Sequence, residues 1–440
     1  MLKLDGRIST LLDSFYKYLL AAVLIFIPLY PKFPLFTVPF TYVAIRAEDF
    51  LIALVWLFFI AKVFLQRKIT FPKVTLQFAV FFFISLVSSL SAILITKNVQ
   101  PLITILHYFR RIEYMSVFFL IYWAGRDVGT RRYFVELALL PALGVFAYGI
   151  AEIYFGAPVI STMDSESSKG IALVLRPGVT LNSTFAGHYD LAVYLSMMLT
   201  FLMSFTSEAK SWLKRLPFIG LFLLMLWLFM QAGSRISLIG IFLSVGITAY
   251  YYRQYLLGFI FCCLITLFVV TSPQYVSRFK SIFNAIIHTS QLIVRPVYAA
   301  VATPAAAIVK TTPDAPQDIS TNIRLKVEWP RAMRAFYKSP FFGTGYSSIT
   351  LATDNDYLRA LGETGLFGLL SFLALLFAIA KFLLQTVRKV SGIDKVIIVS
   401  AIGIFVAFLT TATFIDVFES SKISILFWAY MGLAFSTQSK

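Results

Sequence analysis

This chain is short of nearly everything a soluble enzyme uses. Only 13% of its residues are charged, against about 25% in soluble domains. It has two cysteines and three histidines in 440 residues. Cys262 and Cys263 are adjacent inside an apolar run, so they form neither a disulfide framework nor a four-ligand metal site. Their expected role is small apolar packing. The sequence has no HExxH pair, no phosphate-cradling GxxxxGK[ST] loop and no metal-binding carboxylate pair. Those absences argue against a metalloprotease, an ATPase and a metal-dependent nucleotide-sugar transferase, and no metal or other cofactor is expected. There is no nucleic-acid motif, no periodic repeat, no low-complexity tail and no separate soluble domain. The first apolar run, near Phe15 to Tyr30, leads into YPKFP rather than a small-residue cleavage site. It is expected to stay as a first membrane span.

What the chain does have is apolar length. It is 59% apolar, with a mean hydropathy of +0.82, which makes it an all-α polytopic membrane protein. A bilayer-crossing helix needs about 20 apolar residues. Twelve candidates begin near Phe15, Asp49, Thr75, Ile105, Tyr133, Asp190, Leu216, Ile236, Leu256, Gly365, Val396 and Ile423.

The formal charge is +17, from 38 Lys/Arg against 21 Asp/Glu. In a membrane protein much of that excess orients the helices, because basic loops stay inside. Nearly every even-numbered loop is basic: Arg67, Lys68 and Lys73, then Arg126, Arg131 and Arg132, then Lys210, Lys214 and Arg215. Arg253 follows, and then Arg388, Lys389 and Lys395. The pattern predicts both termini inside. It divides the chain into residues 1–271 with nine spans, a large exterior loop at 272–356, and residues 357–440 with three more spans. A smaller exterior loop occupies 156–187. Ala285 to Val309 is fairly apolar but contains His288, Arg295, Pro296 and Pro304. It reads as a helix lying on the outer face rather than a span.

The large loop keeps nine Lys/Arg against five Asp/Glu on the side where orientation does not call for them. Several residues there and nearby could do chemistry. Arg235 follows the tight turn Gly233–Ser234 at the outer mouth of a helix hairpin. It either snorkels to headgroups or holds a phosphate. Arg324 opens NIRLKVEWPRAMRAFYKSP, in which Leu325, Trp329, Ala332 and Phe336 form an apolar helical stripe. Pro330 is expected to kink this helix or start a second one. Arg331, Arg334 and Lys338 read as a solvated face. Asp354, Asn355 and Asp356 follow the glycine pair of FFGTGY. Such residues cap helices, and a carboxylate just outside a membrane can also take a proton from a sugar hydroxyl. His188 in LRPGVTLNSTFAGHYDLAVYL could be a base, a polar contact or a structural residue. His107 and His288 have no clear partners. Glu48 and Asp49 start the second span, as acidic residues commonly do.

Five segments together resemble the O-antigen ligase and O-antigen polymerase superfamily. They are STFAGHYDLAVYL, SRISLIGIFLSV, NIRLKVEWPRAMRAFYKSPFFGTGY, TDNDYLRALGETGLFG and the closing FESSKISILFWAYMGLAF. They cover about 176–436; earlier residues match only as apolar spans. The resemblance implies a bundle of about a dozen helices with a helical exterior loop. It implies a glycosyltransferase of the bacterial inner membrane that works on the outer face. Its donor would be a glycan on undecaprenyl diphosphate, its acceptor a glycan or glycolipid, and a chain-length regulator is a possible partner. Arg235 and Arg324 would hold the diphosphate and Asp354 would be the catalytic base. Arg176, His188, Asn355, Tyr357 and Glu363 would contact substrate. Ligases of this family carry a histidine where this chain has Asp354, which leans the reading toward a polymerase. The rival of a different class is a polysaccharide transporter or flippase. A transporter should place charges and helix breaks near span centres; here the notable residues crowd the outer mouths.

Overall fold

In a bilayer each backbone N–H and C=O must be satisfied within its own segment or a closed sheet. Long apolar runs therefore become helices. The computed structural model describes residues 6–66, 69–159, 180–272, 275–276, 323–350 and 352–438, and most of these are helical. α1 (Gly6–Leu29), α2 (Ala47–Gln66), α3 (Thr75–Ser91) and α4 (Pro101–Ala124) come first. A π-helical turn at Ala92–Thr96 prolongs α3. α5 (Val128–Ala138) and α6 (Leu140–Tyr154) follow, jointed where Pro141 enters at the start of α6. Next come α7 (His188–Glu208), α8 (Trp212–Ala232), α9 (Arg235–Tyr252) and α10 (Tyr255–Thr271). α11 (Trp329–Lys338), introduced by a π-turn at Arg324–Glu328, precedes α12 (Asp356–Thr386), α13 (Ile393–Thr411) and α14 (Ser421–Ser436). The sheet among the described residues is one antiparallel hairpin, β1 (Pro34–Thr37) with β2 (Ala44–Arg46).

Among the described residues, eight helical stretches are long and apolar enough to cross a membrane. They are α1, α3 with its π-turn, α5–α6 together, α7, α8, α9, α12 and α13. α10 is apolar but, at 17 residues, shorter. α14 has only 16 residues, and α4 is interrupted by Arg110, Arg111 and Glu113. The chain is thus a helical membrane protein. Arg176, the segment Ala285 to Val309 and most of the large loop lie outside the described residues.

α7 and α14 form the middle of the bundle. Every α7 residue from Leu191 to Ser207, and every residue of α14, is buried. Lipid tails are as apolar as leucine, so such helices associate by close packing rather than by exclusion of water. Gly432 on α14 shows how close: a Cβ there would lie 2.2 Å from the Phe118 carbonyl oxygen of α4. Some hydroxyls inside the bundle are satisfied locally, while others, such as Ser204 of α7 and Ser424 of α14, are buried without a partner among the described residues. Thr200 and Thr206 each donate to the carbonyl four residues back. Cys262 is half-buried and Cys263 exposed on α10.

Candidate functional site

The FFGTGY turn and the LGETGLFG segment, apart in sequence, are built as one object. α12 is not continuous. Gly365 has φ 69° and ψ −170°, a conformation outside the helical region. The apolar run that the sequence places from Gly365 onward is therefore only the second part of α12; a polar half-helix starting at Asp356 precedes it. The break frees backbone groups, and the Pro340–Gly345 strip takes them up. Thr344 and Gly345 donate to the carbonyls of Gly362 and Glu363 at 3.0 and 2.8 Å. Leu366 and Phe367 donate to those of Pro340 and Phe341 at 2.8 and 3.2 Å. Non-helical backbone inside a membrane bundle persists only where protein surrounds it. Glycine is required on both sides. A Cβ on Gly343, which has φ +72°, would sit 2.4 Å from the Glu363 carbonyl and the Gly365 nitrogen. A Cβ on Gly365 would sit 2.4 Å from the Gly343 nitrogen.

A buried ionic frame lies against this broken helix. Arg359 on α12 donates to Glu363 at 3.3 Å and to Asp416 at 3.1 Å. All three side chains are buried. Asp416, in the α13–α14 loop, also accepts the N–H of Thr353 at 2.9 Å and of Asn355 at 3.1 Å. Asp356 accepts the N–H of Phe418 at 3.1 Å. Arg111 on α4 donates to the Phe418 carbonyl at 2.7 Å, pairs with Glu419 and lies over the Tyr346 ring at 5.7 Å. Charges taken out of water persist only when paired and hydrogen-bonded; Arg111, Arg359, Glu363, Asp416 and Glu419 are paired in this way, and Asp356 is held by the Phe418 amide. It leaves a cavity of about 30 Å³, lined by Arg111, Asp356, Arg359, Glu363 and Glu419 among others. That is room for ordered water and not for a sugar.

At the edge of the frame sits an ion pair. Arg324, at the head of the π-turn, donates from Nε and Nη2 to Oδ2 of Asp354, at 3.0 and 2.9 Å. Burial works against the Arg324 charge; the neighbouring carboxylate and the Tyr189 hydroxyl outweigh it and hold its pKa above the usual value. Asp354 has φ +49°, in the left-handed region, which a non-glycine residue keeps only when its surroundings hold it there. Tyr189 is the second residue of α7, and its ring lies 4.0 Å from that of His188. The segment carrying Arg324 is thus brought against the start of α7 and the start of α12.

The other residues singled out by sequence have more local settings. Asn355 is the N-cap of α12: its Oδ1 accepts the Leu358 N–H at 2.9 Å, and its Nδ2 donates to the Thr413 carbonyl at 3.1 Å. Tyr357 donates to the Leu409 carbonyl at 3.1 Å. Glu363 sits in the buried frame. Pro330 falls in the first turn of α11, after the π-turn, so it starts a helix rather than kinking one. Arg235 is the first residue of α9, behind Gly233 at φ +68° and the N-cap Ser234. It is half-buried. The Ser234 carbonyl accepts the Tyr275 hydroxyl at 3.2 Å, which braces this turn.

Sequence reasoning passed over Arg111, Arg359, Asp416 and Glu419. A signal for them existed: ionisable residues inside or bordering apolar runs are functional or structural sites by default. What could not be read was which of them meet, since Arg111 and Glu419 are 308 positions apart. A similar cluster lies nearby, where Lys32 approaches Asp190 at 3.8 Å, Ser420 donates to Asp190, and Lys422 donates to the Thr184 carbonyl at 2.8 Å.

A broken helix, a buried ionic frame and an arginine–aspartate pair at one end of a bundle define a helical membrane protein with a polar site at its edge. Residues 220–373, from α8 into α12, match the family model described as O-Antigen ligase. The match supports an O-antigen ligase/polymerase-like family for this stretch. It takes in Arg235, Arg324, Asp354 and Glu363; His188 and Asp416 lie outside it. No curated protein matches the chain.

Proposed function

We propose that the protein is a metal-independent membrane glycosyltransferase that extends a glycan carried on undecaprenyl diphosphate, as a polymerase rather than a ligase. Twelve spans would set both termini inside and the broken end of α12 on the outer face of the bacterial cytoplasmic membrane. What carries the reading is the Arg324–Asp354 pair, held against α7 and α12 within the stretch that matches the O-antigen ligase family. A cation for the leaving diphosphate and a carboxylate for the acceptor hydroxyl are the two groups the transfer needs near one anomeric carbon. As the bond between the anomeric carbon and the phosphate oxygen breaks, negative charge grows on the leaving diphosphate. Arg324 and Arg235 bind it, because guanidinium groups stay charged and match phosphate geometry. Fixed cations at a leaving group are commonly a large catalytic contribution. Asp354 takes the proton from the acceptor hydroxyl as its oxygen bonds to the anomeric carbon. Positioned bases of this kind contribute about 10²–10⁴ in rate. Attack opposite the leaving group inverts the anomeric centre. Arg176, outside the described residues, and His188, at the start of α7, are proposed as substrate contacts, while Asn355, Tyr357 and Glu363 hold the site in shape rather than touch sugar.

The test is transfer by purified protein in detergent, supplied with lipid-linked oligosaccharide. The glycan should lengthen without a membrane gradient. Absence of transfer to every lipid-linked or core-sugar acceptor offered, together with gradient-driven movement in vesicles, would overturn the enzyme in favour of a transporter.

A further inference from the structure

Asp354 is restrained in two ways that differ in kind. Its backbone is clamped from both sides: Asp416 Oδ2 accepts the N–H of Thr353 at 2.9 Å, and Asp416 Oδ1 accepts that of Asn355 at 3.1 Å. Its side chain is held separately by Arg324. The clamp is closed to solutes. The Asp416 side chain is 7% exposed and is tied to Arg359. The ion pair is reached from its acid side: the Asp354 side chain is 26% exposed and that of Arg324 9%.

An incoming diphosphate acts on these two restraints differently. It brings at least two negative charges to the guanidinium that already serves Asp354. Charge-assisted bonds from arginine to phosphate are as strong as those to carboxylate, and the phosphates repel Asp354. The ion pair is therefore what the ligand breaks. A carboxylate that loses a cation and gains an anionic neighbour becomes a better base. It also loses its side-chain anchor, at a residue whose left-handed backbone would relax without support. The buried Asp416 clamp is out of the ligand's reach and keeps its hold.

We infer that Asp416 is the positioning residue for Asp354, holding it in place while the donor diphosphate takes Arg324 away, so that the ion pair acts as a donor-operated release of the base. This rests on the roles proposed above for Arg324 and Asp354. It implies an order: the base is free to act on an acceptor only once the donor is seated.

Undecaprenyl diphosphate itself is the probe, titrated against the full-length protein in detergent. Asp354→Asn removes the charge that competes for Arg324, so binding should tighten about tenfold, whereas a merely structural Asp354 would leave affinity unchanged or weaken it. Asp416→Asn cannot present an acceptor to both amides. Hydrogen exchange at Thr353 and Asn355 should quicken about tenfold or more in this variant, and quicken further when undecaprenyl diphosphate is added. In the wild type those amides should stay protected with and without the lipid. Should Asp416→Asn fail to fold, Asp416→Glu keeps both acceptors but shifts them, and the lipid should again loosen the same two amides. Unchanged or weaker binding by Asp354→Asn, or exchange at Thr353 and Asn355 indifferent to Asp416 substitution, overturns the inference and leaves the proposed function standing. If the wild type does not bind the lipid, or Arg324→Ala binds as well as wild type, the proposed function falls and this inference with it.

Discussion

The two ends of the bundle each bury an arginine–aspartate pair, and the pairs are built differently. At one end Arg131 of α5 meets both carboxylate oxygens of Asp394 at 2.8 Å. Its remaining nitrogen donates to the carbonyls of Gly125, Arg126 and Ser436 at 2.9, 3.0 and 3.3 Å. Every nitrogen of that guanidinium is engaged, and its side chain is 3% exposed. The pair ties α5, α13 and α14 together. At the other end Arg324 meets a single oxygen of Asp354, on a loop in a left-handed conformation, with the acid partly open to solvent. An arginine saturated by backbone carbonyls is a lock. An arginine that shares one carboxylate oxygen at an accessible rim can change partners. The contrast gives a physical criterion for telling a structural arginine from one able to receive a ligand, independent of charge or burial alone.

The comparison can be broken first at the lock. Arg131→Ala should lower stability by about 3 kcal/mol, since it leaves a largely covered carboxylate and three carbonyls without their donor, and thermal unfolding in detergent measures it. If stability barely moves, saturation by carbonyls does not mark a structural arginine. Gly365→Ala comes next. Its Cβ would collide with the Gly343 strip, and the expected loss is about 2–3 kcal/mol, with glycan transfer lost alongside because the strip carries the chain toward Asp354. Asn355→Ala removes the cap of α12 and should cost about 1 kcal/mol in the same unfolding measurement. A similarly small effect on stability, about 1 kcal/mol, is expected for Arg324→Ala, whose partner is partly open to water and can be rehydrated. The same substitution should lower transfer by about 10²–10³. A large stability loss with intact transfer would place Arg324 with Arg131 as a lock and sink its proposed role.

The helical, membrane-embedded class was legible because it depends on composition and run length. Each long apolar stretch near a predicted span does lie in a helix. The tight Gly233–Ser234 turn was legible for the same local reason: a glycine with positive φ followed by a serine cap is a short-range signal. The candidate site was legible only as a set of residue types. Arg324 and Asp354 stood out as an arginine and an acid bordering one loop. That Asn355, and not its neighbours, caps α12 depends on backbone geometry among three adjacent polar residues of similar capping preference. The break at Gly365 was invisible too, since LGETGLFG reads equally well as a polar lead-in followed by a span. Asp416 lies in a short loop before the last helix, and nothing in its immediate sequence suggests that it grips two amides some 60 positions earlier.

The amino-acid sequence alone determined that this chain is a bundle of membrane helices, which long continuous apolar runs adopt because a helix satisfies their backbone within the segment itself. It also determined which ionisable residues are few enough to matter. Only the tertiary structure decided how those residues pair: which arginine is locked, which acid is clamped, and which helix is broken so that the glycine strip can fit. Pairings among buried charges depend on distances between helices far apart in the chain, and those distances are set by packing rather than by any local preference.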